Sequence, residues 1–264
     1  MTAADLHTTS YGESGSRVVF LHGLFGQGRN WTQIAKALAA EHRVALFDLP
    51  DHGRSAWLER FELVPVADRI AEHLGADDPV ALVGHSLGGK IAMVLALRHP
   101  ELVERLCVVD ISPVDYQQLG EFAGYIEAML DLDLDSFGQR ADAESALAAA
   151  VPNTTVRSFL LQNLRRETVA DGGSGWRWQP NLEGLRSSLA AIKSWPADEL
   201  GGARYDGPVL WVGGEQSDYV RDAYAPVMDQ LFPRNRRVTI KGAGHWVHSE
   251  KPEVFLEVLR RFLG

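Results

Sequence analysis

Ser86 stands at the centre of Gly84-His85-Ser86-Leu87-Gly88, a Gly-x-Ser-x-Gly pentapeptide. A serine in that pattern performs acyl-transfer chemistry when a tight turn between a strand and a helix lifts its hydroxyl above a parallel sheet. The serine takes a strained backbone conformation there, and the glycines two residues either side let strand and helix approach without Cβ clashes. A neutral hydroxyl is a poor nucleophile and needs a base within hydrogen-bond reach. His245 is the leading candidate, because Gly242-Ala243-Gly244-His245 forms a glycine-bounded loop between an apolar run and a final helical pattern. His248, three residues on, reads as a loop or surface residue. Two carboxylates could orient the imidazole: Asp110, directly after Leu106-Cys107-Val108-Val109, and Asp218, in the turn Gly214-Glu215-Gln216-Ser217-Asp218. Both satisfy the chain order serine, acid, histidine.

These residues need elements to carry them, and the hydrophobic pattern supplies short β-rich runs alternating with helical ones. Strands are predicted over Arg17 to Leu21, Arg43 to Phe47, Pro79 to Val83, Val103 to Val109, Val209 to Val212 and Arg237 to Ile240. Helices fall over Trp31 to Ala40, Val66 to Leu74, Gly89 to Leu97, Asp222 to Leu231 and Pro252 to Phe262. Such alternation predicts an α/β fold, with a mostly parallel twisted sheet and helices on both faces. It stops between Ile111 and about Gly207, where apolar spacing is helical, as in Phe122-Tyr125-Ile126-Met129-Leu130 and Val156-Phe159-Leu160-Leu164. A structureless loop of that length does not belong inside a compact domain. The stretch is read as an inserted helical cap. The expected division is residues 1–112 and 207–264 as the core and 113–206 as the cap. Asp171 to Gly175 is a predicted turn within the cap, and Trp176-Arg177-Trp178 a short extended piece.

Bulk properties narrow the functional classes. Thirty-five acidic against 26 basic residues give a formal charge of −9, with no basic stripe for nucleic acid. The lone Cys107 sits among apolar residues and reads as a packed core thiol. Met1 to Leu6 lacks the charged and apolar regions of a secretory leader, and no apolar run reaches membrane-spanning length. A cytoplasmic enzyme is the expectation, with monomer and dimer both open. No His-Glu-x-x-His, cysteine cluster or phosphate-binding glycine loop appears, so neither metal nor cofactor is expected.

Taken together, His22-Gly23-Leu24-Phe25-Gly26, Asp48-Leu49-Pro50-Asp51-His52-Gly53-Arg54-Ser55, the Ser86 pentapeptide and Gly242-Ala243-Gly244-His245 resemble the α/β-hydrolase family over essentially the whole chain. Within it, Val109-Asp110-Ile111-Ser112-Pro113-Val114 and Trp176-Arg177-Trp178-Gln179-Pro180-Asn181-Leu182 are similar to YbfF-like esterases and their mitochondrial relative, α/β-hydrolase domain-containing protein eleven. The resemblance implies carboxylic-ester hydrolysis, with thioesters as a related substrate. Many relatives carry the acid as the aspartate of a Gly-x-x-Asp turn, three residues after the glycine, where this chain has Ser217 after Gly214. The YbfF-like pattern implies instead Asp110 as the acid with Ser217 in support, while Asp218 stays open as the alternative. The oxyanion of the tetrahedral intermediate would then be met by the backbone N–H groups of Leu87, at the start of its helix, and Leu24.

An apolar pocket is expected around Phe25, His85 and Trp246. Phe122, Tyr125, Trp176 and Trp178 are further wall candidates, with packing inside the cap an equally good reading. His22, Asp48 and His52 are read as turn organisers. The leading function is a serine carboxylesterase on short to medium acyl chains, working through an acyl-enzyme. An acyl-CoA thioesterase would want a basic rim, which Arg157, Arg165 and Arg166 could supply, although a solvated helix face is the preferred reading of them. A cofactor-free perhydrolase shares the same triad. Dehalogenase and epoxide-hydrolase relatives carry aspartate where Ser86 stands. A small-molecule receptor or signalling protein that keeps the triad is the alternative outside enzymology.

Overall fold

The computed structural model describes residues 6–116, 120–168 and 174–264. The expected absence of a leader at Met1 to Asp5, and most of the turn expected at Asp171 to Gly175, lie outside these residues. Seven strands form one sheet: β1 (Thr8–Tyr11), β2 (Arg17–Leu21), β3 (Arg43–Phe47), β4 (Val80–His85) and β5 (Val103–Val109), then β8 (Val209–Gly214) and β9 (Asn235–Ile240). The strands β6 (Leu164–Thr168) and β7 (Ser174–Trp178) pair separately, within the segment between β5 and β8. The spatial order is β1-β3-β2-β4-β5-β8-β9, with β1 antiparallel and every other neighbour parallel.

Parallel strands in the middle of such a sheet are buried on both sides, which is why they read as continuous apolar runs. Along β2, Val19 and Leu21 face one core with helices Leu63–Ala71 and Leu87–Arg98. Val18 and Phe20 face the other, with helices Thr32–Leu38 and Pro252–Leu263. Cys107 is buried in β5 on this second face, and burial pushes its thiol up, so it is a packed residue. After β2 the chain moves outward to β3, then returns to β4 on β2's other side. The strand order therefore reverses between β2 and β4, and ligands bind in the crevice that opens at the carboxyl ends of strands at such a point. His22 to Gly26 and Ser86 sit at those two ends.

Two features depart from the sequence reading. Strand β1 has a polar sequence and three of its four residues are exposed, so it carries no hydrophobic run; it forms by edge pairing with β3, Thr8 to Phe47 through Tyr11 to Val44. The segment between β5 and β8 is helical as expected but includes the hairpin β6–β7, in register from Leu164–Trp178 to Thr168–Ser174. Leu164, expected to end a helical row, starts β6 instead, because its helix closes at Leu161. The remaining β6 residues, Arg165 to Thr168, are charged or polar and largely exposed, so no two-residue apolar alternation announces them.

The inserted segment is fastened to the sheet by buried polar contacts. Asn181 donates its backbone N–H to Asp51 O at 2.9 Å and its side-chain amide to Asp51 Oδ1 at 3.0 Å. Asn163 Nδ2 donates to Phe25 O at 2.7 Å, and Gln27 Nε2 to Asn163 Oδ1 at 2.5 Å. Among the described residues, no helix is long and apolar enough to cross a membrane.

Candidate active site

Strand β4 ends at His85, and the helix that follows begins at Leu87, leaving Ser86 alone to make the turn. Its backbone adopts φ 52° and ψ −117°, a strained conformation for a residue with a side chain. The flanking glycines are required by contact. A Cβ on Gly84 would lie 2.3 Å from Gly88 O, and one on Gly88 would lie 2.5 Å from His22 O. Ser86 N donates to Val109 O at 3.0 Å, which ties the turn to β5.

The loop after β9 brings His245 over this turn. Its Nε2 lies 3.0 Å from Ser86 Oγ, and its Nδ1 lies 2.7 Å from Asp110 Oδ2. Asp110 follows β5 with a left-handed φ of 52° and is fully buried. Its carboxylate accepts from Gly214 N at 3.0 Å through Oδ1, and the Ser217 hydroxyl donates to Oδ2. A buried carboxylate so held is an orienting group for an imidazole N–H. Asp218 points the other way: its side chain is 89% exposed and pairs with Arg221 at 3.4 Å. The one-residue displacement in this turn sends the Asp218 carboxylate to solvent and the Ser217 hydroxyl inward.

Leu24 and Leu87 border the same small cavity as Ser86, a space of about 20 Å³. That is room for about one water molecule. The other walls are Lys90, Ile111, Tyr116, Phe122, Ile192 and Tyr219. Phe25 keeps a left-handed φ of 60° as the loop bends, and Gly26 N closes the turn onto Gly23 O at 2.9 Å. His22 braces the loop from below. Its Nδ1 donates to Gly23 O at 2.8 Å, and its Nε2 accepts from Leu49 N at 2.9 Å. Burial lowers its pKa, so the neutral ring fits this dual role.

Phe25, His85 and Trp246, expected on the pocket wall, do not line this cavity. Phe25 is buried beside Phe122, with ring centres 6.1 Å apart. Trp246 turns toward Phe159 at 5.6 Å. His85 lies behind the imidazole, where its Nε2 donates to His245 O at 2.9 Å. Burial, then the neighbouring rings of His245 and His248, holds its pKa well below the ordinary histidine value. His248 is not a surface residue. It is buried and stacked on Trp31 at 4.0 Å, and burial followed by His245 lowers its pKa to about 3. Of the cap aromatics, Phe122 reaches the cavity. Trp176 and Trp178 instead donate indole N–H bonds to Phe137 O and Met129 O, and so pack within the inserted segment.

Lys90, Tyr116, Ile192 and Tyr219 are wall residues that the sequence reading did not single out. Tyr219 lies over His245, ring centres 4.2 Å apart, and burial above all pushes its hydroxyl up to about 12. The Tyr116 hydroxyl donates to Tyr219 O at 2.6 Å and accepts from Ser112 N at 2.8 Å. Lys90 lies on the helix that Ser86 begins, four residues on, a spacing that aligns the two along one face. That spacing was the available signal for it.

A family described as alpha/beta hydrolase fold matches residues 16–252 of the chain. The sn-1-specific diacylglycerol lipase ABHD11 of Mus musculus is 36% identical over 256 residues, 94% of this chain and 80% of that one. Esterase YbfF of Escherichia coli is 30% identical over 253 residues, 94% of this chain and 93% of that one. Among solved structures, a marine microorganism esterase superposes with a TM-score of 0.91 at 32% identity, over 98% of this chain and 99% of that one.

Proposed function

The chain belongs to the α/β-hydrolase family, and from that premise we propose that Ser86, His245 and Asp110 form the catalytic triad of a serine esterase acting on short acyl chains. The protein is an ester hydrolase, as its relatives are. The observation that carries the assignment of residues is the unbroken chain of contacts Ser86 Oγ to His245 Nε2 at 3.0 Å and His245 Nδ1 to Asp110 Oδ2 at 2.7 Å.

In this reading His245 Nε2 takes the Ser86 proton as Oγ attacks the ester carbonyl carbon. The carbonyl oxygen becomes an oxyanion, met by the N–H groups of Leu24 and Leu87. A single such donor contributes on the order of 3 kcal/mol in the transition state. Collapse of the intermediate breaks the carbon–oxygen bond, and His245 returns the proton to the departing alcohol. Water, deprotonated by the same imidazole, then releases the acid from Ser86. Asp110 accepts the hydrogen bond from His245 Nδ1–H throughout and holds the imidazole in place.

Residues 113–206 act as a cap that sets the acyl length. The mouse relative is named as an sn-1-specific diacylglycerol lipase. Here Lys90, Tyr116 and Ile192 leave about 20 Å³ beside Ser86, so the space favours the shortest acyl groups, and these side chains must part to admit any acyl group larger than one water. The test is a panel of chromogenic esters of increasing acyl length, with wild type and Ser86→Ala. Expected is repeated turnover that is highest on the shortest acyl groups and abolished in the variant. A Ser86→Ala protein that keeps its activity would remove the assignment. A single burst without turnover would make the chain a receptor rather than an enzyme.

A further inference from the structure

A second concavity, of about 200 Å³, opens where the sheet meets the inserted segment. Its walls include His7, Gln27, Arg29, Asp48, Arg54 and Arg165. Three guanidinium groups thus converge on one small space in a chain whose formal charge is −9. Elsewhere nine arginines (Arg43, Arg60, Arg98, Arg105, Arg186, Arg204, Arg221, Arg237 and Arg261) have a carboxylate within ion-pair distance. Among the described residues, Arg29, Arg54 and Arg165 have none, as holds for nine other arginines, but these three share the wall of one concavity.

Two of the three are fixed by neutral acceptors. Arg29 Nη2 donates to Gln162 O at 2.6 Å, and Arg165 donates to Leu164 O at 3.3 Å and to Gln27 Oε1 at 3.5 Å. Burial, followed by neighbouring guanidinium groups, holds both below the ordinary arginine range. Arg140 adds to the repulsion felt by each. The lone carboxylate in the wall, Asp48, is already engaged. It accepts Gly28 N at 2.7 Å and Arg54 N at 2.9 Å, and His7 Nδ1 lies 3.1 Å away.

Three like charges held beside a single carboxylate, Asp48, keep a net positive charge that a further anion offsets. A guanidinium fork matches the oxygens of a phosphate two at a time, and three forks around one space match a dianion better than a single carboxylate. We propose that this concavity binds a phosphate group, carried either on the alcohol or thiol part of an ester substrate or as free phosphate. The site adjoins the active-site loop, since Gln27 holds Asn163 and Asn163 holds Phe25 O, next to Leu24. It does not rest on the triad, because binding there requires no turnover.

Isothermal titration with inorganic phosphate at low ionic strength tests it. Expected is saturable binding, weakened about tenfold by Arg165→Gln and again by Arg54→Gln, since each removes charge-assisted bonds to the anion. Arg166→Gln should leave it unchanged, because Arg166 lies over Trp176 and bonds Ser174. Absence of saturable heat, equal affinity in wild type and Arg165→Gln, or equal competition by chloride would each overturn the proposal. Two acetyl esters, one with a phosphate on its leaving group and one neutral, then identify the source. A substrate phosphate predicts a rise in KM on Arg165→Gln for the phosphorylated ester alone. Free phosphate predicts that added phosphate shifts kinetics on the neutral ester along the calorimetric curve.

Discussion

The Ser217 hydroxyl and the Asp110 carboxylate are joined by a hydrogen bond that ends on Oδ2, the same oxygen that lies 2.7 Å from His245 Nδ1. Ser217 stands in the turn position where many relatives carry the acid, and here its hydroxyl bonds the carboxylate that follows β5, the proposed acid. Asp110→Asn should therefore lower kcat on an acetyl ester by roughly 10⁴-fold, because an amide cannot hold the correct imidazole tautomer. Asp218→Asn should change kcat by less than about twofold, as expected for a solvated turn residue. Ser217→Ala should fall between them. Steady-state kinetics on the three variants decide the point, and an inactive Asp218→Asn with an active Asp110→Asn would reverse the assignment.

The elbow makes a steric prediction that is independent of chemistry. Gly88→Ala puts a methyl group 2.5 Å from both His22 O and Leu21 O, main-chain atoms that cannot move without disturbing β2. Overpacking of this kind costs about 1–3 kcal/mol or more. A thermal melt should show the loss clearly. Gly75→Ala, where no heavy atom lies within 4 Å of the added methyl, is the control and should melt with wild type.

What the sequence made legible follows from which signals are local. The Ser86 turn was readable because two glycines, an apolar strand and a helix fall within a few residues of each other. His245 was readable because glycines bound its loop. The acid was not settled, since choosing between Asp110 and Asp218 depends on which way one turn faces. Strands β1 and β6 were missed because their residues are mostly polar and exposed, so nothing repeats along them, whereas Trp176-Arg177-Trp178, read as extended, falls in β7. His85 and His248 were misplaced for a related reason: a histidine carries no sequence mark of burial, and here the packing of Trp31 and the His245 loop buries both.

Two buried histidines predict acid sensitivity. Burial, with a neighbouring histidine, lowers His52 and His248 from 6.5 to about 3. Below pH 6.5 the unfolded chain takes up protons that the folded one refuses, so stability is full above that value and is lost as pH falls toward about 3. Each such group gives a slope of about 1.4 kcal/mol per pH unit within the window. Urea unfolding between pH 7.5 and 4.5 should show the midpoint falling, and His248→Gln should flatten that fall by one group's share. An unchanged slope in the variant would mean that His248 titrates alike in both states.

Lys90 predicts how the cap is fastened beside the active site. The side chain is 2% exposed, and its Nζ donates to Ile192 O, Lys193 O and Ser194 O at 3.3, 2.6 and 2.8 Å. These are carbonyls at the end of helix Leu182–Lys193, which has no intrahelical donors for them, and a cation there also meets the negative end of the helix dipole. Lys90→Met keeps the apolar stem but strands Ile192 O and Ser194 O, while Lys193 O keeps the Tyr116 N–H at 3.0 Å. Amide exchange over residues 190–196 should then quicken by about tenfold or more, as expected when buried acceptors lose their donor, while β4 and β5 stay protected. Unchanged exchange at residues 190–196 would show that the helix end is held without Lys90.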